Sequence, residues 1–249
     1  MITANEIAEW AARLGVAEQQ VRHDHLVSHL IAGLEGIDRV VFFGGTALSR
    51  TYLEGRRLSE DIDLYLDPRQ PPDQGAVVEQ IQEASQREFP GLSIESARRQ
   101  SDVTTYVATH ADLSVMLQVV GARPEHRAYE TDEAAVSLRY SDLQTSIGLL
   151  VPNVVSFGAM KLGAYEDRRA ARDLFDLAGL VTISGLTAQS LAILKHARGV
   201  GPIKHRYADQ LRPTDSEWQT QLAHQTKALG DPSEALEVVR AKLVEIGAW

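Results

Sequence analysis

The run Arg39-Val40-Val41-Phe42-Phe43 stops on two glycines, Gly44 and Gly45, and that junction constrains the fold more than any other stretch of the chain. Consecutive β-favouring apolar residues bounded by glycine read as a buried strand. The glycines carry no Cβ, so a bulky ligand can approach the backbone closely. After a short gap comes Ser59-Glu60-Asp61-Ile62-Asp63-Leu64, which reads as a second strand over about residues 61–67, ended by Pro68. Asp61 and Asp63 are two apart and on a strand would share a face. Paired carboxylates repel each other, and a divalent cation relieves the repulsion. A solvated strand end is the competing reading, but the apolar neighbours Ile62, Leu64 and Leu66 and the preceding glycines favour metal ligands.

The surrounding pattern alternates strands with helices. Residues 3–35 look helical, a short helix is expected around 46–54, and another near 74–88 between Pro71-Pro72-Asp73 and Pro90-Gly91. Strand candidates follow at 92–95, 104–109 and 113–120, while 121–145 could hold a further hairpin. Beyond Pro152 the pattern is helical almost to the end. The expected class is therefore α+β with an α/β-type mixed sheet, divided into a core over 1–150 and a helical part over 151–249 that closes the cleft.

Composition removes several function classes. The chain has 249 residues and no cysteine, which excludes disulfides, thiolate metal sites and cysteine nucleophiles. Its start, MITANEIAEWAARLG, lacks the basic-then-apolar order of a signal peptide. No apolar run approaches the ~20 residues needed to span a bilayer. A cytoplasmic protein without membrane contact is expected. The net charge of −9 argues against indiscriminate coating of nucleic acid, though it leaves room for a local basic patch.

Two strings carry a family resemblance. GGTALSRTYLEGRRLSEDIDLYL resembles the glycine pair and Asp-x-Asp signature of the DNA polymerase β-like nucleotidyltransferase superfamily, and more closely the AbiEii/MenT-type toxins of bacterial toxin–antitoxin systems. Met160-Lys161-Leu162-Gly163-Ala164-Tyr165, then Arg168 and Arg172-Asp173-Leu174-Phe175-Asp176-Leu177, is similar to a second block of that family. Both occur in the family's order, and the likeness extends over roughly residues 20–200.

The resemblance implies a polymerase β-like core and a magnesium- or manganese-dependent enzyme. Such an enzyme would move a nucleoside monophosphate from a nucleoside triphosphate to an acceptor hydroxyl. The expected acceptor is the 3′ end of tRNA, with translation blocked and a cognate antitoxin as partner. A protein or small-molecule acceptor, or a catalytically weak nucleotide-binding partner, is the alternative. Asp61 and Asp63 would hold the metal. Gly44, Gly45, Thr46 and Ser59 would line the phosphate loop, with Thr46 as helix cap. Ser59 would lie on the strand face of Asp61.

Lys161 sits in an apolar stretch and either snorkels to the surface or enters a cleft; the resemblance makes it the lysine that binds the triphosphate. Asp176 would orient Lys161 or the attacking hydroxyl, and Asp173 would fix the helix. Arg169 and Arg172 each lie four residues before one of these acids, so ordinary ion pairs on a helix surface compete with that reading. Arg168, Arg169 and Arg172 together form an edge suited to RNA or phosphate.

One departure stands out. Superfamily enzymes carry a third carboxylate on a later strand, and here Gln118 occupies that position. Asp112 or Asp176 would then take the role, or deprotonation would rely on metal and solvent. His23, His25 and His29 suggest zinc, since 25 and 29 share a helical face, but with no obvious fourth ligand nearby the preferred reading has the three flank Asp24 on a partly exposed helix. The densest basic region runs through Lys195, His196, Arg198, Lys204, His205, Arg206 and Arg212, and suits either an RNA acceptor stem or a solvated helix end.

Overall fold

The computed structural model describes residues 2–198 and 212–248. Lys204, His205 and Arg206 of the basic run lie outside the described residues. The chain divides into two compact units. One runs to Pro124 and resumes over Asp132–Val151; the other takes Glu125–Thr131 and the described residues from Pro152 onward.

In the first unit, residues 3–35 form two helices rather than one. Helix α1 (Ala4–Leu14) is capped by the Thr3 side chain and ends at Gly15, whose φ of 69° only glycine adopts readily. Helix α2 (Glu18–Ala32) follows and buries almost all its second half. Strand β1 (Val40–Phe43) leads directly into α3 (Gly44–Arg50), so the two glycines begin the helix itself. Then come β2 (Ile62–Leu66), α4 (Gln74–Ser85), β3 (Ser93–Gln100), β4 (Val103–His110) and β5 (Leu113–Val120). A short 3₁₀ turn over Pro124–Ala128 precedes β6 (Thr131–Ser137) and β7 (Ser146–Pro152).

The strands make one seven-stranded mixed sheet in the order β3-β4-β5-β2-β1-β7-β6. Strand β2 lies antiparallel to β1 and parallel to β5, at the centre of the sheet. A strand covered on both faces reads as continuous apolar sequence; Leu64, Tyr65 and Leu66 are accordingly buried. The expected mixed sheet is thus present.

An ion network fixes α3. Asp24 on α2 is almost wholly buried, receives Arg50 Nη2 at 2.9 Å and Arg139 Nη1 at 3.0 Å, and accepts the Tyr140 hydroxyl at 2.8 Å. Burial alone would raise the Asp24 carboxyl, but the two guanidiniums and Tyr140 hold it below the usual carboxylate range. Burial also pulls Arg50 down to about 10. The expectation that His25 and His29 flank Asp24 on a partly exposed helix is corrected: both are buried, and they turn towards Asp142.

The second unit packs helices α5 (Val154–Arg168), α6 (Ala171–Thr182), α7 (Ala188–Arg198), α8 (Asp215–Leu222) and α9 (Pro232–Glu245). Leu162, Leu174, Leu177, Leu194, Trp218 and Val239 are among its core residues. Asn153 caps α5 by accepting the Ser156 N–H at 2.8 Å. Gly158 permits close packing, since a Cβ there would overlap the Gly185 carbonyl. Among the described residues no helix is long and apolar enough to cross a membrane.

Candidate active site

Strand β1 delivers Gly44 to the centre of the sheet, where Phe43 pairs with Asp63 across β1 and β2. Gly44 has φ +80°, and a Cβ on it would overlap Oδ2 of Asp63 and come within 2.9 Å of its Cγ. The Asp63 carboxylate therefore faces the glycine bend. At Gly45 an added Cβ would meet Arg57 Nη2 at 2.7 Å and Ser59 Oγ at 3.0 Å. Bare backbone, a hydroxyl, a carboxylate and a guanidinium meet within one turn of chain.

Three details differ from expectation. Phe43, not Thr46, occupies the helix-cap position, and the buried Thr46 hydroxyl instead donates to the Asp61 carbonyl. That bond ties the segment before β2 to the first turn of α3. Ser59 and Asp61 precede the strand, which begins at Ile62, so strand alternation does not set their directions. Asp112 sits just before β5 and accepts the Gln19 amide at 2.8 Å. Gln118 pairs in register with Asp63, and six residues of extended strand span roughly 20 Å. Asp112 therefore cannot replace the missing carboxylate beside Asp63. Gln118 occupies that place, with its amide 3.4 Å from Met116 Sδ.

Arg57 was not singled out from sequence. It is 2 % exposed, donates from Nη1 to the Leu58 carbonyl at 2.8 Å, and packs its other terminal nitrogen against Gly45. Its position four residues before Asp61 was the available signal, but Arg56 beside it offered the same charge.

In the second unit Lys161, on α5, is 6 % exposed and does not snorkel to the surface. Its Nζ lies 2.6 Å from Asp176 Oδ2 and 3.2 Å from Asp173 Oδ1, both on α6. Arg168 closes the group with 2.7 and 2.9 Å hydrogen bonds to the two oxygens of Asp173. Burial would raise the Asp173 carboxyl, yet Lys161 and Arg168 hold it below the ordinary value. Of the expected basic edge, Arg168 is thus engaged with Asp173. Arg169 is exposed at the left-handed end of α5 with φ 53°, and Arg172 is half-buried on α6. In α7, Lys195 and His196 are exposed, while Arg198 binds Asp167 at 2.7 Å. Arg212 pairs with Asp215 at 2.5 Å.

Residues 28–241 match the family model described as nucleotidyl transferase AbiEii toxin, type IV toxin–antitoxin system. The chain belongs to that family. An AbiEii protein is a nucleotidyltransferase; enzymes of this kind use a nucleoside triphosphate and a divalent metal, and the toxins pair with a cognate antitoxin. No curated protein matches the chain. Among solved structures, MenT4, nucleotidyltransferase toxin Rv2826c from Mycobacterium tuberculosis H37Rv, is similar at a TM-score of 0.68 and 19% identity, over 100% of this chain and 91% of that one. This likeness shows the AbiEii chain's fold. Terminal uridylyl transferase 4 from Trypanosoma brucei with bound dUTP aligns over 97% of this chain and 70% of that chain, at a TM-score of 0.28 and 11% identity.

Proposed function

We propose that this AbiEii-family enzyme transfers a nucleoside monophosphate from a nucleoside triphosphate to the hydroxyl at the 3′ end of tRNA in the cytoplasm, so that charging and translation stop. The observation that carries the reading is the Asp63 carboxylate held against Gly44, with Ser59 and Arg57 against Gly45. Carboxylates such as Asp61 and Asp63 are the hard-oxygen donors that Mg²⁺ or Mn²⁺ takes. Bound there, the ion would supply positive charge against the triphosphate and the departing pyrophosphate.

The protein residues have distinct tasks in this reading. Asp61 and Asp63 supply the metal-binding oxygens, and Gly44 and Gly45 let phosphate approach bare backbone, with Ser59 donating a hydroxyl. Thr46 keeps Asp61 in place through its carbonyl. The family resemblance assigns Lys161 to the triphosphate; within its own unit its Nζ lies 2.6 Å from Asp176, and Asp173 anchors α6 to Arg168. Arg169 and Arg172 offer charge to the RNA backbone, where recognition is largely electrostatic. The acceptor oxygen forms its bond to the α-phosphorus as the bond to pyrophosphate breaks. Gln118 is neutral and takes no proton, so the hydroxyl proton leaves to Asp176 or, with help from the metal, to solvent.

The test is purified protein with labelled triphosphates, Mg²⁺ and total tRNA. Label should appear at RNA 3′ ends and vanish with Asp61→Ala. Label in protein or in a small product would replace the acceptor. Because Gln118 stands beside Asp63, calorimetric binding of triphosphate without turnover is the other reading, a nucleotide-binding partner. Absence of both label and binding, with Asp61→Ala behaving identically, overturns the proposal.

A further inference from the structure

Away from the glycine bend, three side chains of the first unit converge. His25 and His29 lie one turn apart on α2, and Asp142 comes from the connection between β6 and β7. Asp142 Oδ2 is 3.0 Å from His25 Nε2 and 3.4 Å from His29 Nε2, and the two imidazole nitrogens are 3.2 Å apart. Ligands about 2.0–2.1 Å from a tetrahedral Zn²⁺ stand about 3.3 Å from one another. The three donor atoms already form such a triangle.

Hydrogen bonding alone satisfies this triangle poorly. Each neutral imidazole presents either one N–H or one lone pair at Nε2. Two inward N–H groups would oppose each other across 3.2 Å. Two inward lone pairs would face each other and a carboxylate, while the mixed case spreads one hydrogen over two acceptors. A cation serves all three lone pairs together. The rings are also held in place: His25 packs edge-on to Tyr140 with centroids 5.1 Å apart, and Phe89 lies 5.4 Å from His25 and 5.3 Å from His29. The His25 and Asp142 side chains are 7% and 13% exposed, so the site is largely shielded from water. His25 further lines a cavity of about 260 Å³ with Glu88 and His110, which offers an entry path and room for a water ligand.

We infer that His25, His29 and Asp142 form a transition-metal site, with Zn²⁺ the ion whose donor preference and geometry match best. The ion would join α2 to the β6–β7 connection and is separate from the cation proposed at Asp61 and Asp63. Two nitrogens and one oxygen suit zinc better than magnesium, which takes oxygen donors and retains its waters.

The test uses the full chain carrying Asp63→Asn, so that binding at the acid pair does not contribute. After chelator treatment, Zn²⁺ is titrated by calorimetry and Co²⁺ by visible absorption. The expected result is one equivalent with Kd below about 1 µM, as for a folded site with few ligands. Co²⁺ should give the intense visible bands of a four-coordinate ion. His29→Gln and Asp142→Asn should each weaken binding by at least about 100-fold, given that even outer partners of metal ligands cost 10–100-fold. His23→Gln, whose imidazole contacts the Ser114 carbonyl instead, should bind as before. Should the ligand variants fail to fold, the ring-nitrogen resonances of His25 and His29 in the unsubstituted histidine cluster provide the readout. Failure to bind one equivalent, unmoved imidazole signals on adding Zn²⁺, or undiminished affinity in folded His29→Gln overturns the site.

Discussion

The Asp63 carboxylate occupies the space that a side chain on Gly44 would need. Strand β2 offers that carboxylate to the bend because Phe43 and Asp63 pair across the sheet. Gly44→Ala would therefore both strain a φ of +80° and displace the acid. Strain at such a position costs of order 1–3 kcal/mol. A misplaced metal ligand costs about 100-fold in rate on top. Gly55 also has positive φ but open space around it, so Gly55→Ala should lose stability alone. Denaturation and labelled-triphosphate turnover of the two variants separate the effects; equal turnover would contradict the role given to the bend.

Lys161 is enclosed by Asp173 and Asp176. Lys161→Met leaves two buried carboxylates without their shared cation, and breaking a buried pair destabilises by roughly 3–5 kcal/mol. Lys161→Met combined with Asp176→Asn should recover part of that stability by removing one charge. Turnover should stay lost in both. Chemical denaturation beside the transfer assay checks this, and an active double variant would remove Lys161 from the chemistry.

Asp24 and Asp173 both lie below the ordinary carboxylate value of 3.8 in the folded protein. Their ion-pair stability is therefore fully present above the unfolded value and lost as pH falls through the lowered folded values. Stability measured in urea should fall below about pH 4 for this reason. Asp24→Asn should flatten that acid limb while lowering stability at neutral pH, since Arg50 and Arg139 then lose their shared negative charge. A limb as steep in the variant as in the parent would place the titration elsewhere.

Gln118 stands across from Asp63 where a third carboxylate would complete the group. Gln118→Glu should tighten Mg²⁺ by about tenfold, because ligand charge sets affinity in oxygen-donor sites. Magnesium titration of turnover measures it. Unchanged magnesium dependence would show that the register position does not reach the metal.

How much could be read from sequence depended on burial. Strand β5 alternates and β1 is continuously apolar, and both were legible. Strand β3 extends to Gln100 although only its first residues were anticipated: it is an edge strand, largely exposed, and its Arg98 and Arg99 carry no periodic apolar signal. The break at Gly15 was hidden because the helical pattern resumes at Glu18, three residues later. Asp24, an acid among histidines, gave no sign of burial, since its partners Arg50 and Arg139 are distant in sequence. Gly44 and Asp63 stood out through local spacing, whereas Lys161 and Asp176 stood out only through the family resemblance. The Asp63–Gln118 register and the packing of Arg57 on Gly45 depend on long-range pairing, which local spacing does not encode.

The helical unit borrows Glu125–Thr131, the segment that runs up to the first residue of β6. Tyr129 packs into its hydrophobic cluster, and Glu130 accepts the Asn153 backbone N–H at 2.9 Å just before α5. A fragment beginning at residue 152 would therefore leave part of its own interior behind. Anyone seeking an autonomous C-terminal piece should start upstream of Glu125, or supply the heptapeptide as a separate strand.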